Sequence, residues 1–226
     1  MIPVIDNEKY KTRKGYECCL RNCITVDVVF HYDRGSRSGK VARKLLGNYV
    51  GLTQCDGYDV YEQFERVKGI TLFGCWAYAS GKFTEALDKN RALATQALCH
   101  IGKLYKVESE ADEAGLSIEE PKEKCIRESY PVILEFERWI QDAYFKALLK
   151  SRTGKAIEYI FPLLPRLSRY VNDGRVNIDN NLIENAIRPL ALGKEKLSVL
   201  WQRRIGIQNG HCILPYRNML VCRSWP

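Results

Sequence analysis

No apolar run in the 226-residue chain approaches the ~18–20 residues of a membrane-spanning helix. The opening stretch MIPVIDNEKYKTRKGYE lacks the apolar centre of a secretory signal, so a cytosolic, cytoplasmic protein without a membrane partner is expected. Nine cysteines are present, yet none forms a CxxC pair, and the closest group, CCLRNC, has poor zinc spacing. Reduced, mostly buried thiols are therefore expected rather than a zinc site or a disulfide framework. Internal repeats and low-complexity segments are also absent, which excludes solenoids and disordered arrays.

What remains is an ordinary globular composition, 46% hydrophobic and 27% charged, in a chain long enough for one domain with a helical elaboration. The net charge of +8 suggests a nucleic-acid partner, but its distribution weakens that reading. From residue 194 onward six Lys or Arg face one acid, a surplus of five that leaves only +3 for residues 1–193.

The first third reads as strands. KGYECCL (14–20) and TVDVVFHY (25–32) are β-branched and aromatic runs separated by a short polar link, as in a hairpin. SRSGKVARKLLGNY follows a capping Ser with Val41, Leu45 and Leu46 at helical spacing. VGLTQCD (50–56) predicts a short strand, YDVYEQFERV a compact helix and GITLFGC (69–75) another strand, an order typical of an α/β sheet with mixed pairing. From 76 to about 172 the period turns helical. Leu93, Ala97, Leu98, Ile101, Leu104 and Tyr105 form one apolar face, and Tyr130, Ile133, Leu134, Trp139, Ile140 and Tyr144 form another. EADEAGLSIEEPKEK reads as a polar connection between them, and Pro162 and Pro165 break the next stretch into short pieces. After Gly193 no sustained period of either kind remains, so a tail with little regular structure is expected.

Two carboxylates stand out, each with two readings. Asp56 falls at the predicted carboxyl end of a strand, where α/β sheets collect ligands and catalytic groups; it also begins an Asp-Gly, a common turn dipeptide. Glu184, in VNIDNNLIENAIRPLALG (176–193), sits three residues after Asn181, as a capping-box carboxylate would. It also sits one turn before Arg188, within ion-pair reach. Pro189 is expected to limit that helix to about two turns or kink it. Spacing does not say whether Asp56 and Glu184 meet.

Three ordered motifs, YDRGSRSGKVARKLLGNYVGLTQCDGYDVYEQF, GCWAYASGKFTEAL and DGRVNIDNNLIENAIRPLALG, resemble the core of insertion-sequence-66-type transposases from about residue 3 to 193. These are DDE transposases. The resemblance implies an α/β, ribonuclease-H-like mixed sheet with its first strand missing or vestigial, and a large α-helical insertion. The implied layout is a sheet part over 1–75, helical insertion over 76–175, the helix of the last acid over 176–193, and an aberrant, frameshifted tail over 194–226. Asp56 and Glu184 would be the second and third catalytic acids and the ligands of two Mg²⁺ ions roughly 3.5–4 Å apart, which activate the attacking oxygen and stabilise the leaving one. Arg188 and Lys194 would meet DNA phosphates, and the DNA would be the element's terminal repeats and its target, with a homo-oligomer as the possible assembly.

The family's first catalytic Asp has no counterpart: the matching stretch here is MIPVIDNE, and Asp6 falls in the following loop. Tyr78, Ser80 and Gly81 replace a His and two basic positions. The family's amino-terminal DNA-recognition and zinc-binding segments are not matched. These departures imply a copy that has lost strand cleavage and transfer, with a non-catalytic DNA-binding or interaction module as the alternative.

Overall fold

The computed structural model describes residues 2–6, 11–23, 27–32, 36–88, 90–115, 119–146, 151–192 and 220–224. The described residues are mixed α/β. The strands are β1 (Ile2–Asp6), β2 (Lys11–Gly15), β3 (Glu17–Asn22), β4 (Val28–Tyr32), β5 (Gly51–Cys55), β6 (Ile70–Phe73) and β7 (Leu220–Ser224). The helices are α1 (Gly39–Leu46), α2 (Trp76–Thr84), α3 (Arg91–Glu113), α4 (Glu119–Lys124), α5 (Tyr130–Lys146), α6 (Arg152–Ile160), α7 (Leu164–Ser168) and α8 (Asn181–Leu192). The expected compact helix after β5 is a 3-10 helix, Asp59–Arg66. Among the described residues no helix is long and apolar enough to cross a membrane. The seven described cysteines whose side chains are placed are free thiols, in line with the reduced set expected.

Two compact units divide the chain: Met1–Thr53 with Tyr58–Thr71 and Asn181–Pro226, and Gln54–Gly57 with Leu72–Asn180. In the first, β1 and β2 form a separate antiparallel hairpin in which Asp6 pairs with Lys11. Asp6 is thus the last residue of a strand rather than a loop residue, because its backbone is consumed by the ladder. The larger sheet has the order β4-β3-β7-β5-β6. The β3–β4 hairpin is antiparallel, with Cys19 opposite Phe30. On its other side β3 pairs antiparallel with β7, Cys18 opposite Ser224 and Asn22 opposite Leu220. Residues Cys18 to Asn22 are consecutively buried, as both faces and both edges of an interior strand require. The tail beyond 193 therefore does contribute regular structure, at 220–224; residues 193–219 lie outside the described residues.

α1 begins after Ser38 as expected, though its hydroxyl makes no capping bond to the helix. α8 packs on β3 and β7, with Ile183 and Ile187 buried. It runs on past position 189 to Leu192, so Pro189 does not end it. Burial of one apolar face outweighs the single backbone bond that a proline removes.

The second unit is built on α3 and α5. The buried stripe of α3 is Ala94, Ala97, Ile101, Leu104, Val107 and Ala111, and that of α5 is Ile133, Phe136, Ile140 and Ala143. Tyr130 and Tyr144, expected on the apolar face of α5, are exposed, because the stripe is rotated onto Phe136 and Ala143. The polar connection is also shorter than expected. α3 continues to Glu113 and helix resumes at Glu119, placing Pro121 in a first turn, where its missing N–H removes no helical bond. α4 runs into α5 through a π-helical turn, Cys125–Ser129. Trp76 is fully buried, donates its indole N–H to the Leu167 carbonyl at 2.9 Å, and lies 5.5 Å from the Phe136 ring.

Candidate active site

The site begins in strand β5. Its alternating pattern would send every second side chain outward, but Thr53, Gln54 and Cys55 are all buried. A buried amide is tolerated only when hydrogen-bonded. Gln54 Nε2 donates to the carbonyls of Gly74 at 3.1 Å and Asn177 at 2.8 Å. Asp56 follows directly, half-buried, at the carboxyl end of the strand, as the sequence predicts.

Gly57 has a reason other than a turn. It is not among the glycines with positive φ. A Cβ at this position would lie 1.6 Å from Tyr159 Oη and 2.9 Å from Leu163 Cδ1. No other residue lets the α6 tyrosine come this close to the backbone beside Asp56, so the Asp-Gly pair records close packing. Asp56 shares a small pocket of about 10 Å³, room for about one water, with Cys75, Tyr78, Tyr159 and Arg166. Burial pushes the Cys75 thiol up to about 11, which favours the protonated thiol that donates to Asn180.

A second cluster holds residues 177–180, the segment leading into α8. Gln54 holds the Asn177 carbonyl. The Ile178 amide donates to Glu108 Oε1 at 3.0 Å, and the Ile178 carbonyl accepts from the Trp76 amide at 3.2 Å. Tyr105 Oη donates to Asp179 Oδ2 at 2.7 Å, and the Cys75 thiol donates to Asn180 Oδ1 at 2.9 Å. Four consecutive residues are thus fixed by β5, α2 and α3. Burial raises the Glu108 carboxyl to about 7, with Asp112 and Asp179 adding to the rise and the Ile178 amide opposing it. Tyr105 is raised as well, first by burial and then by its bond to Asp179.

Sequence reading missed Gln54, Tyr105 and Glu108 as a group. One signal was available: Glu108 lies four residues after Leu104 and seven after Ile101, a charge on the apolar face of α3. Nothing local marks Gln54.

Glu184 lies in the first turn of α8, half-buried, where a carboxylate is favoured by the helix dipole. The helix begins at Asn181 itself, so Asn181 is inside it rather than the cap before it, and the capping-box frame shifts by one residue. Arg188 is exposed on the same helix. Lys194 lies outside the described residues. Asp56 belongs to one compact unit and Glu184 to the other.

Carboxylates are the right donors for Mg²⁺, but the residues around Asp56 do not by themselves make a two-ion site. Asp56 is the single carboxylate lining its pocket, and Arg166 brings a positive charge to the same wall. Among the described residues no group of three or more His, Cys, Asp or Glu side chains is arranged so that it could hold a metal ion.

A sequence profile described as the transposase IS66 family matches residues 1–207. The match passes residue 193, where the resemblance had been expected to stop. The chain is 31% identical over 178 residues to the uncharacterized protein y4qI of Sinorhizobium fredii, covering 74% of this chain and 32% of that protein. It is 29% identical over 194 residues to the uncharacterized protein y4hP of the same organism, covering 77% of this chain and 34% of that one. The chain spans about a third of the length of these curated relatives. No solved structure matches it.

Proposed function

The chain belongs to the IS66 family of transposases, and from that premise we propose that it is a DNA-engaging transposase core whose strand-cleaving chemistry is lost. A transposase acts on DNA. The finer reading is that Asp56 and Glu184 are the second and third acids of a DDE site on a ribonuclease-H-like sheet, that Mg²⁺ is the ion they hold, and that the element's terminal repeats and target are the DNA. Arg188 and Lys194 would supply phosphate contacts, and a homo-oligomer would be the working assembly.

The observation that carries this reading is the setting of Asp56: the carboxyl end of β5, half-buried, in a pocket with Arg166, beside a glycine whose added Cβ would collide with Tyr159 and Leu163. A turn aspartate needs none of this. Loss of chemistry is inferred from the altered GCWAYASG stretch, in which Tyr78, Ser80 and Gly81 stand where the family has a His and two basic positions that would meet phosphates. Mg²⁺ bound there would neutralise charge on a phosphate oxygen. Asp56 and Glu184 would be the residues that hold it.

The test is an incubation of the full chain with Mg²⁺ or Mn²⁺ and a labelled duplex carrying the element's own ends. We expect binding that weakens steeply with salt and little or no nicking or joining. Robust cleavage that disappears with Asp56→Asn or Glu184→Gln would overturn the loss of chemistry. Absence of binding at low salt would overturn the DNA reading altogether.

A further inference from the structure

We propose that the groove between α2 and α6 is a binding site for a single DNA strand, with its phosphates on Lys82, Arg152 and Lys155 and a base against Tyr78. This rests on the reading above that the protein engages DNA. It assigns that contact to residues outside the helix of Glu184 and outside Arg188 and Lys194.

The groove is open, about 610 Å³ in volume, and its lining includes three cations against one acid, Glu85. The acids nearby neutralise little of this charge. Lys82 is 4.0 Å from Glu85 and Arg152 is 3.8 Å from Asp88, and the two carboxylate side chains are 72% and 82% exposed. Ion pairs that long and that wet contribute little. Among the described residues Lys155 has no acidic partner.

The cations are also badly placed for the helix that carries them. α6 starts at Arg152, capped by Ser151 Oγ accepting the Gly154 amide at 2.9 Å, and its first turn holds no acid. Arg152 and Lys155 therefore sit at the positive end of the helix dipole, where an anionic side chain belongs. A local rule broken on an exposed surface points to an outside partner, and an anion in the groove reverses the sign of the interaction.

Aromatic surface accompanies the charge. Tyr78 and Tyr159 lie 5.7 Å apart, and Lys82 Nζ sits 5.2 Å and 5.6 Å from their ring centroids. Tyr78 is 37% exposed. Cations that follow a backbone, beside a ring on which any base can stack, are the elements of single-strand binding without sequence preference. Tyr159 and Tyr78 also line the Asp56 pocket, so a strand lying in the groove leads to that carboxylate.

The experiment uses the full chain, a fluorescein-labelled single-stranded oligonucleotide and a duplex of the same sequence, titrated by fluorescence anisotropy over a series of NaCl concentrations. Each phosphate contact on a single strand contributes about 0.7 to the slope of log K against log salt, so Arg152→Ala/Lys155→Ala should flatten the slope by about 1.4. Tyr78→Ala should weaken single-strand binding about tenfold while changing duplex binding by less than about twofold. Lys106→Ala, on the exposed side of α3, should leave both unchanged. Circular dichroism establishes that each variant is folded; should the double variant not fold, Lys155→Ala alone should flatten the slope by about 0.7. Wild-type binding with an unaltered slope in the variants overturns the groove and leaves the DNA reading standing. No wild-type binding to either DNA overturns both.

Discussion

Asp56 and Glu184 are held by opposite means. Asp56 follows the last residue of a strand, and its neighbours are held by contacts to distant parts of its own unit: Gln54 on Gly74 and Asn177, and the Gly57 backbone against Tyr159. Glu184 stands on a 12-residue helix whose regular hydrogen bonds and two buried isoleucines place it, while its approach segment is pinned residue by residue. A strand end has few backbone bonds of its own and must borrow side chains. A helix carries its own scaffold and needs only its entry fixed.

That contrast can be broken or sharpened by experiment. The largest effect should come with pH, through Glu108. Its folded pKa of about 7 lies above the ordinary 4.5, so the folded state holds the proton more tightly. The resulting stabilisation is complete below about 4.5 and is lost as pH rises toward 7. With one pKa unit worth about 1.4 kcal/mol, the loss is on the order of 3 kcal/mol. Urea midpoints measured across that window should fall with pH in the wild type and stay nearly level in Glu108→Gln; an equally steep fall in the variant would place the titration elsewhere.

Gln54→Leu comes next. It leaves the Gly74 and Asn177 carbonyls without their donor, at about 1–2 kcal/mol each. Hydrogen exchange should show the approach segment loosened while the amides of α8 keep their protection. Uniform loss along α8 would mean that the helix depends on its entry. Gly57→Ala should cost about 1–3 kcal/mol by overpacking, and Tyr159→Ala in the same chain should recover part of it. Additive losses would show that the two residues do not compete for one space. Smallest of all, Arg188→Ala, exposed on α8, should shift stability by less than about 0.5 kcal/mol.

Much of the strand layout was legible because the β-branched and aromatic runs at 14–32, 50–56 and 69–75 are short and bounded by turn residues. For the same reason Asp56 could be placed at a strand end. Gln54 could not be recognised, since its partners lie 20 and 123 residues away and no local pattern encodes them. Glu108 could have been, as a charge on an apolar stripe. Helix also extends further than expected across Pro121 and Pro189, because the cost of a proline depends on which turn it occupies and on how much apolar surface the helix buries. LVCRS was not read as a strand because five residues in aperiodic surroundings carry almost no signal. What makes them a strand is the open side of β3, a tertiary fact.

The placement of that last strand bears on how the protein is made. β7 lies between β3 and β5, so an interior position of the sheet is filled by residues 220–224. During synthesis the β3–β4 hairpin leaves the ribosome early, and β3 then waits with a bare edge until a partner about 200 residues later is translated, a loop closure of the slowest kind. In that interval the exposed edge is open to any other extended segment, including the same strand of a neighbouring nascent chain. A message that stops short of codon 220 would release a polypeptide caught permanently in that state, and its fate would be aggregation or proteolysis.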